Sequence, residues 1–225
     1  ANASAFTLKM KGIQMRKTGG SGSGYRLTMG NATANNGVEL DSCYLEVGTG
    51  STPPTNVYVV ETDVSTNTLK ARNTAFVGGI QRVLLCNNGT MRINNCVVNG
   101  KGHAAVIGIA RVAGTCTVNN TAVFNTNDDF NGTITATYCA SDDGDGTNAV
   151  NISPGGTEAT DWAATFTDYV NNDYTVKNSS SYIYNVGTDL SGDANYAVTV
   201  DAKGTARPQA GTFDIGVDEL VAAGG

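Results

Sequence analysis

Six stretches of the chain repeat one spacing: apolar, any, apolar, any, any, then Cys, Thr or Ser, any, and usually a further apolar residue. They are Val38-Leu40-Cys43-Leu45, Leu69-Ala71-Thr74-Phe76, Met91-Ile93-Cys96-Val98, Cys116-Val118-Thr121-Val123, Ile134-Ala136-Cys139-Ser141 and Tyr174-Val176-Ser179-Ser181. Within each half the period is two, so alternate side chains share one face of an extended strand. The two-residue slip in the middle shifts that phase, and the chain must bend there to keep the same row inside. The residue before the Cys, Thr or Ser is Ser42, Asn73, Asn95, Asn120, Tyr138 or Asn178. Asn recurs because it tolerates the left-handed backbone of a sharp bend.

The copies begin at residues 38, 69, 91, 116, 134 and 174. A corner recurring every 20 to 30 residues or so predicts a solenoid. Further apolar segments lie between corners, namely Val57-Tyr58-Val59-Val60, Val83-Leu84-Leu85-Cys86 and Ala105-Val106-Ile107. About three short strands per turn make an all-β fold, a single-stranded parallel β-helix. A β-sandwich alternates strand direction and has no reason to hold a corner in fixed phase. Residues 1–24 read as an N-terminal arm or first cap, because Lys9, Lys11, Arg16 and Lys17 cluster there ahead of GGSGSG at 19–24. The β-helix is expected over 25–220, interrupted by an insertion at 142–165 and closed by a cap from 198, with 221–225 as a tail.

The inward corner row is Cys43, Thr74, Cys96, Thr121, Cys139 and Ser179. Its successive cysteines lie two copies apart, about 9 to 10 Å, beyond the roughly 7 Å Cα limit for a disulfide. They are expected to be buried free thiols serving as small core residues. Cys86 and Cys116 complete a set of five, and a bridge between those two is left open. An odd number with an unpaired core set favours assembly in a reducing cytoplasm. Ala1 follows either signal-peptide cleavage or removal of an initiator Met. A net charge of -6 and only 15% charged residues argue against nucleic acid and anionic membranes as partners. No apolar run is long enough for a membrane span.

The last third carries a second signal: Asp173-Tyr174, a serine-rich bend at Ser179 to Ser181, Gly187, Asp201, Gly204, Arg207-Pro208, then Asp214-Ile215-Gly216 with Glu219. This resembles the closing segment of right-handed parallel β-helix proteins of bacteria and their phages, over about the last 60 residues. The resemblance implies the right-handed sense. It also implies a cap, in which Gly204 and Gly216 supply tight turns, Pro208 stops pairing, and Asp201, Asp214 and Glu219 bind loop amides or Arg207.

Candidate chemistry is sparse. His103 is the only histidine, which excludes a multi-histidine metal site. Asp128-Asp129 and Asp142-Asp143-Gly144-Asp145-Gly146 follow successive corners, and three readings stay open for them: ordinary polar turns, calcium held by Asp142, Asp143 and Asp145, or the acid and base of a glycosidase. No other cofactor is expected. Trp162, with Tyr169, Tyr182 and Tyr184 after it, is a candidate for an interface or glycan contact, or for a plug on the apolar side of the rod. Two function classes follow. One is a non-catalytic structural protein of a particle surface, as in a bacteriophage virion: a capsid decoration protein or short spike, assembled in the host cytoplasm. It would be homotrimeric, would meet other virion proteins through residues 1–24, and would contact glycans. The other is extracellular: a secreted polysaccharide lyase or glycoside hydrolase, or a secreted carbohydrate-binding module.

Overall fold

The computed structural model describes residues 6–16, 27–29, 36–48, 58–79, 81–102, 105–209 and 211–221. Short strands dominate, and nearly all lie in three parallel sheets. The first sheet stacks Thr7–Lys11, Gly37–Asp41, Thr68–Arg72, Thr90–Asn94, Thr115–Asn119 and Thr135–Thr137 in chain order. The second stacks Gln14–Arg16, Tyr44–Val47, Ala75–Gly78, Val97–Asn99, Ala122–Phe124, Ala140–Ser141 and Val150–Asn151. Leu27–Met29, Val60–Thr62, Arg82–Cys86, Ile107–Arg111 and Asp128–Asn131 form the third. In each of the first five passes the chain therefore gives one strand to each sheet in turn.

The register follows the apolar pattern. Leu8, Val38, Leu69, Met91 and Cys116 are successive partners, as are Met10, Leu40, Ala71, Ile93, Val118 and Ala136. Leu8 is exposed, but from Val38 and Met10 onward these columns form an inner core with Phe76, Val98 and Val123 from the second sheet and Leu84 and Ile109 from the third. At the bend between the first two sheets the backbone is left-handed in every pass, at Gly12, Ser42, Asn73, Asn95, Asn120 and Tyr138. The inward residue after it sets up a relay. The Cys43 amide donates to Thr74 Oγ1 at 3.3 Å and the Cys96 amide to Thr121 Oγ1 at 3.3 Å. Each threonine hydroxyl donates in turn to the carbonyl two residues back, Arg72 or Asn119, at 2.9 Å. Alternating Cys and Thr thus stitches neighbouring passes together as well as matching volume. All five cysteines are free and buried, including Cys86 and Cys116.

Three expectations are corrected. Residues 7–16 are not an arm: Leu8-Met10-Ile13-Met15 is a further copy of the corner, with Gly12 at the bend. Its basic residues pair within the chain, Lys9 with Glu39 at 2.8 Å, Lys11 with Asp41 at 3.6 Å and Arg16 with Glu46 at 3.7 Å. These are register partners in the next pass. The GGSGSG segment lies outside the described residues, as does His103.

The stretch at Tyr174 is not a corner. Asp173–Val176 pairs antiparallel with Phe166–Asp168, and Ser179 is exposed rather than in the inward row. The third correction concerns the cap from 198, which does not sit on the end of the stack. From Phe166 onward the chain packs against the outer face of the second sheet, where Ala75, Val77, Val97, Ala122 and Phe124 meet Phe166, Tyr174, Val176, Ile183 and Ile215. Strands buried on both faces lose the in-out alternation, which is why Ala75–Gly78 and Ala122–Phe124 are buried throughout. The end is closed by part of the predicted insertion instead. Thr147 bridges Thr137, Val150–Asn151 extends the second sheet, and Gly146 lies against Ala136, where a Cβ would approach the Ala136 Cβ to 3.0 Å.

Candidate functional site

The polar groups that converge in this molecule do so in three places. The first is a rail of asparagines along the bend. Asn73 Nδ2 donates to the Val200 carbonyl at 2.9 Å, and Asn95 Nδ2 to the Asp214 carbonyl at 3.1 Å. Asn120 donates to the Thr188 carbonyl at 2.7 Å and accepts from the Thr188 amide at 2.9 Å. Neighbouring strand ends add Asn94 to the Tyr196 carbonyl at 3.0 Å and Arg72 to the Ala197 carbonyl at 2.5 Å. The left-handed bend alone would be served as well by glycine. Repeated choice of Asn was the available signal that these side chains have partners.

The second place is the cluster around Arg207. Its guanidinium, fully buried, binds Glu219 Oε2 at 3.0 Å and the Asp214 and Gly216 carbonyls, each at 2.9 Å. Burial pulls its pKa below the usual range. Glu219 accepts the Gln209 and Asp214 amides, each at 3.0 Å. Asp201 accepts those of Lys203, Thr205 and Glu219. Asp214 accepts those of Asn185 and Leu220, and its carboxyl is raised to about 6 by burial. Gly204 and Gly216 adopt positive φ, and Pro208 is exposed. Each carboxylate predicted for the closing segment thus serves as an acceptor for loop amides.

The third place is acidic. Asp129 is buried, accepting from Thr126 Oγ1 at 2.7 Å and from the Asp142 amide at 2.7 Å. Asp142 Oδ1 accepts the Trp162 indole N–H at 2.5 Å, and its Oδ2 accepts the Asn125 amide at 3.1 Å. Burial raises Asp129 to about 8 and Asp142 to about 6. Asp143 accepts from Ser141 Oγ at 3.2 Å. Among the described residues no three His, Cys, Asp or Glu side chains group as a metal would need. Asp142 Oδ1 and Oδ2 each accept one of these donors, from Trp162 and from Asn125, which ties the turn to the outer layer.

The helix Glu158–Thr165 carries Trp162 into the outer core. Its ring lies 5.4 Å from Phe124 and 5.6 Å from Tyr169, and the residue is 5% exposed. Of the alternatives for Trp162, the geometry matches the plug. Tyr169, Tyr182 and Tyr184 are half-buried against the same cluster. Trp162 therefore faces inward, and each of these three tyrosines is partly covered by the cluster. Among the described residues no helix is long and apolar enough to cross a membrane. No family model, curated protein or solved structure matches this chain.

Proposed function

We propose that the chain is a right-handed parallel β-helix acting as a non-catalytic structural protein of a particle surface. The fitting form is a bacteriophage virion component, a decoration protein or short spike, assembled as a homotrimer. One observation carries the reading: the converging polar groups are consumed by the fold. The asparagine rail binds backbone carbonyls, Arg207 is held by Glu219 and two carbonyls, and Asp142 is held by Trp162 and Asn125. Catalysis needs groups left free to meet a substrate. Five buried thiols fit assembly in a reducing compartment, and three parallel sheets with one strand per pass fit a β-helix.

The glycoside hydrolase reading keeps one specific support, since Asp129 and Asp142 are adjacent carboxyls with raised and unequal pKa values, as an acid and a base would be. Purification of the particle separates the two. A particle protein copurifies at fixed stoichiometry and has a solution mass of three chains. A monomer absent from every particle fraction would falsify the structural reading.

A further inference from the structure

Two of the five thiols stand apart from the corner row. Cys43, Cys96 and Cys139 are kept from one another by Thr74 and Thr121. Cys86 and Cys116 lie instead at the bend that leads from the third sheet to the first. Cys86 ends the strand Arg82–Cys86 and is the register partner of Arg111 in the next pass. From Arg111 the chain turns through Val112, Ala113 and Gly114 into Thr115–Asn119, where Cys116 is the second residue. The two successive bends nest closely: a Cβ added at Gly114 would lie 2.1 Å from the Gly89 carbonyl oxygen.

This nesting brings the thiols together. Cys86 Sγ donates to the Ala113 carbonyl at 3.4 Å and to the Thr115 carbonyl at 3.6 Å. The second of those carbonyls belongs to the peptide bond of Cys116, and the two thiols hydrogen-bond to each other. On the other side of Cys86 its register partner Thr62 has a buried hydroxyl with no partner but this sulfur. The hydrogen bond from Cys116, with that from Thr62 and the charge of Arg111, outweighs burial and holds the Cys86 thiol down at about 7. The hydrogen bond to Cys86 and burial push the Cys116 thiol well up. In the corner row, burial raises Cys96 and Cys139 to about 12. The thiolate is the reactive form, so one thiol ready to ionise stands beside one that keeps its proton.

Both side chains are buried, but only the bend covers them: Val112 is 63% exposed and Thr115 is exposed. Opening of this bend admits a water-sized reagent to Cys86, whereas Cys96 is reached only when the stack itself opens. We propose that Cys86 and Cys116 are a redox pair, which a small peroxide closes to a disulfide while the chain stays folded. The Cys86 thiolate attacks one peroxide oxygen and keeps it as a sulfenic acid; the O–O bond breaks, and the other oxygen leaves as hydroxide, which takes up the Cys86 proton as water. The Cys116 sulfur then attacks the Cys86 sulfur, and the sulfenic hydroxyl carries the Cys116 proton away as a second water. Two thiols are oxidised by two electrons and one hydrogen peroxide is reduced to two waters. The bridge ties the third sheet of one pass to the first sheet beyond the next bend. The proposal stands on this bend alone and needs neither the particle nor the trimer.

The test treats the folded full chain with hydrogen peroxide at neutral pH and maps its peptides without reduction, with circular dichroism recorded before and after. A Cys86–Cys116 link is expected, reversed by dithiothreitol, with Cys43, Cys96 and Cys139 unmodified and the spectrum unchanged. Cys116→Ser, where folded, should halt the reaction at a Cys86 sulfenic acid that dimedone traps. Cys86→Ser should slow oxidation of Cys116 by about tenfold or more, since the remaining thiol keeps its proton. The wild-type map decides even if neither variant folds. No link in the folded chain, a link that forms only in denaturant, a link through a corner cysteine, or a folded Cys116→Ser without the trapped sulfenic acid would each overturn the proposal.

Discussion

At Asn120 a single side chain answers two demands, a left-handed backbone with φ of 46° and a two-way hydrogen bond to Thr188. Substitution separates them. Asn120→Gly keeps the bend easy and removes the hydrogen bonds, whereas Asn120→Ala removes the bonds and adds the left-handed strain of about 1 kcal/mol or more. Denaturant unfolding should rank the wild type above Gly and Gly above Ala; equal losses would mean that the bend is not under that constraint. Cys96 gives a second comparison. It is fully buried, burial raises its thiol to about 12, and Thr occupies the same column in the adjacent passes. Cys96→Thr should cost less than about 1 kcal/mol, because its hydroxyl can donate to Asn94 as Thr74 does to Arg72. Cys96→Asp should cost several kcal/mol by burying a charge. Asp129 sets a pH dependence. Its pKa is raised in the fold, so the stability it contributes is full below the unfolded value near 4 and is lost as pH rises through about 8. The melting temperature should fall between about pH 4 and pH 8, and Asp129→Asn should flatten that fall. A melting curve in Asp129→Asn that still falls as in the wild type would place the titrating group elsewhere.

Among the elements, the C-terminal segment behaves as a second layer rather than a lid. Phe124 points out of the second sheet and is stacked 4.9 Å from Phe166, with Trp162 and Tyr174 within 5.4 and 6.2 Å. Phe124→Ala should cost about 3 to 5 kcal/mol. Hydrogen exchange should then rise first in residues 158–176, which pack on it; a uniform rise would mean that the layer and the stack unfold as one unit. The legibility of the elements follows from which partners are local. A period of two and a slipped corner are local, so five of the corners, from Val38 to Ser141, were visible in the sequence. The first corner was hidden because Ile13 replaces the small residue and the flanking Lys9, Lys11 and Arg16 read as an arm, although their acidic partners sit a full pass away at Glu39, Asp41 and Glu46. Tyr174-Val176 deceived because an antiparallel strand has the same period as a parallel one. The Trp162 to Asp142 and Asn95 to Asp214 contacts join residues 20 and 119 positions apart, and no local pattern announces them.

Across the whole molecule, the inner core is built of aliphatic residues with Met91, Phe76 and the Cys and Thr of the corner row, and the outer layer is fastened by amides and carboxylates that donate to or accept from backbone. Glu219→Ala leaves the Arg207 guanidinium buried without its counter-ion and should cost roughly 3 to 5 kcal/mol. An account in which the polar groups hold the fold together predicts no glycan turnover. The measurement that tests it most directly is prolonged incubation of the purified chain with a panel of polysaccharides, followed by assay of reducing ends and of unsaturated sugar products. The account predicts no release above the buffer control for any glycan. Release that disappears in Asp142→Asn while the variant keeps its fold would contradict it and make the Asp129–Asp142 pair an active site.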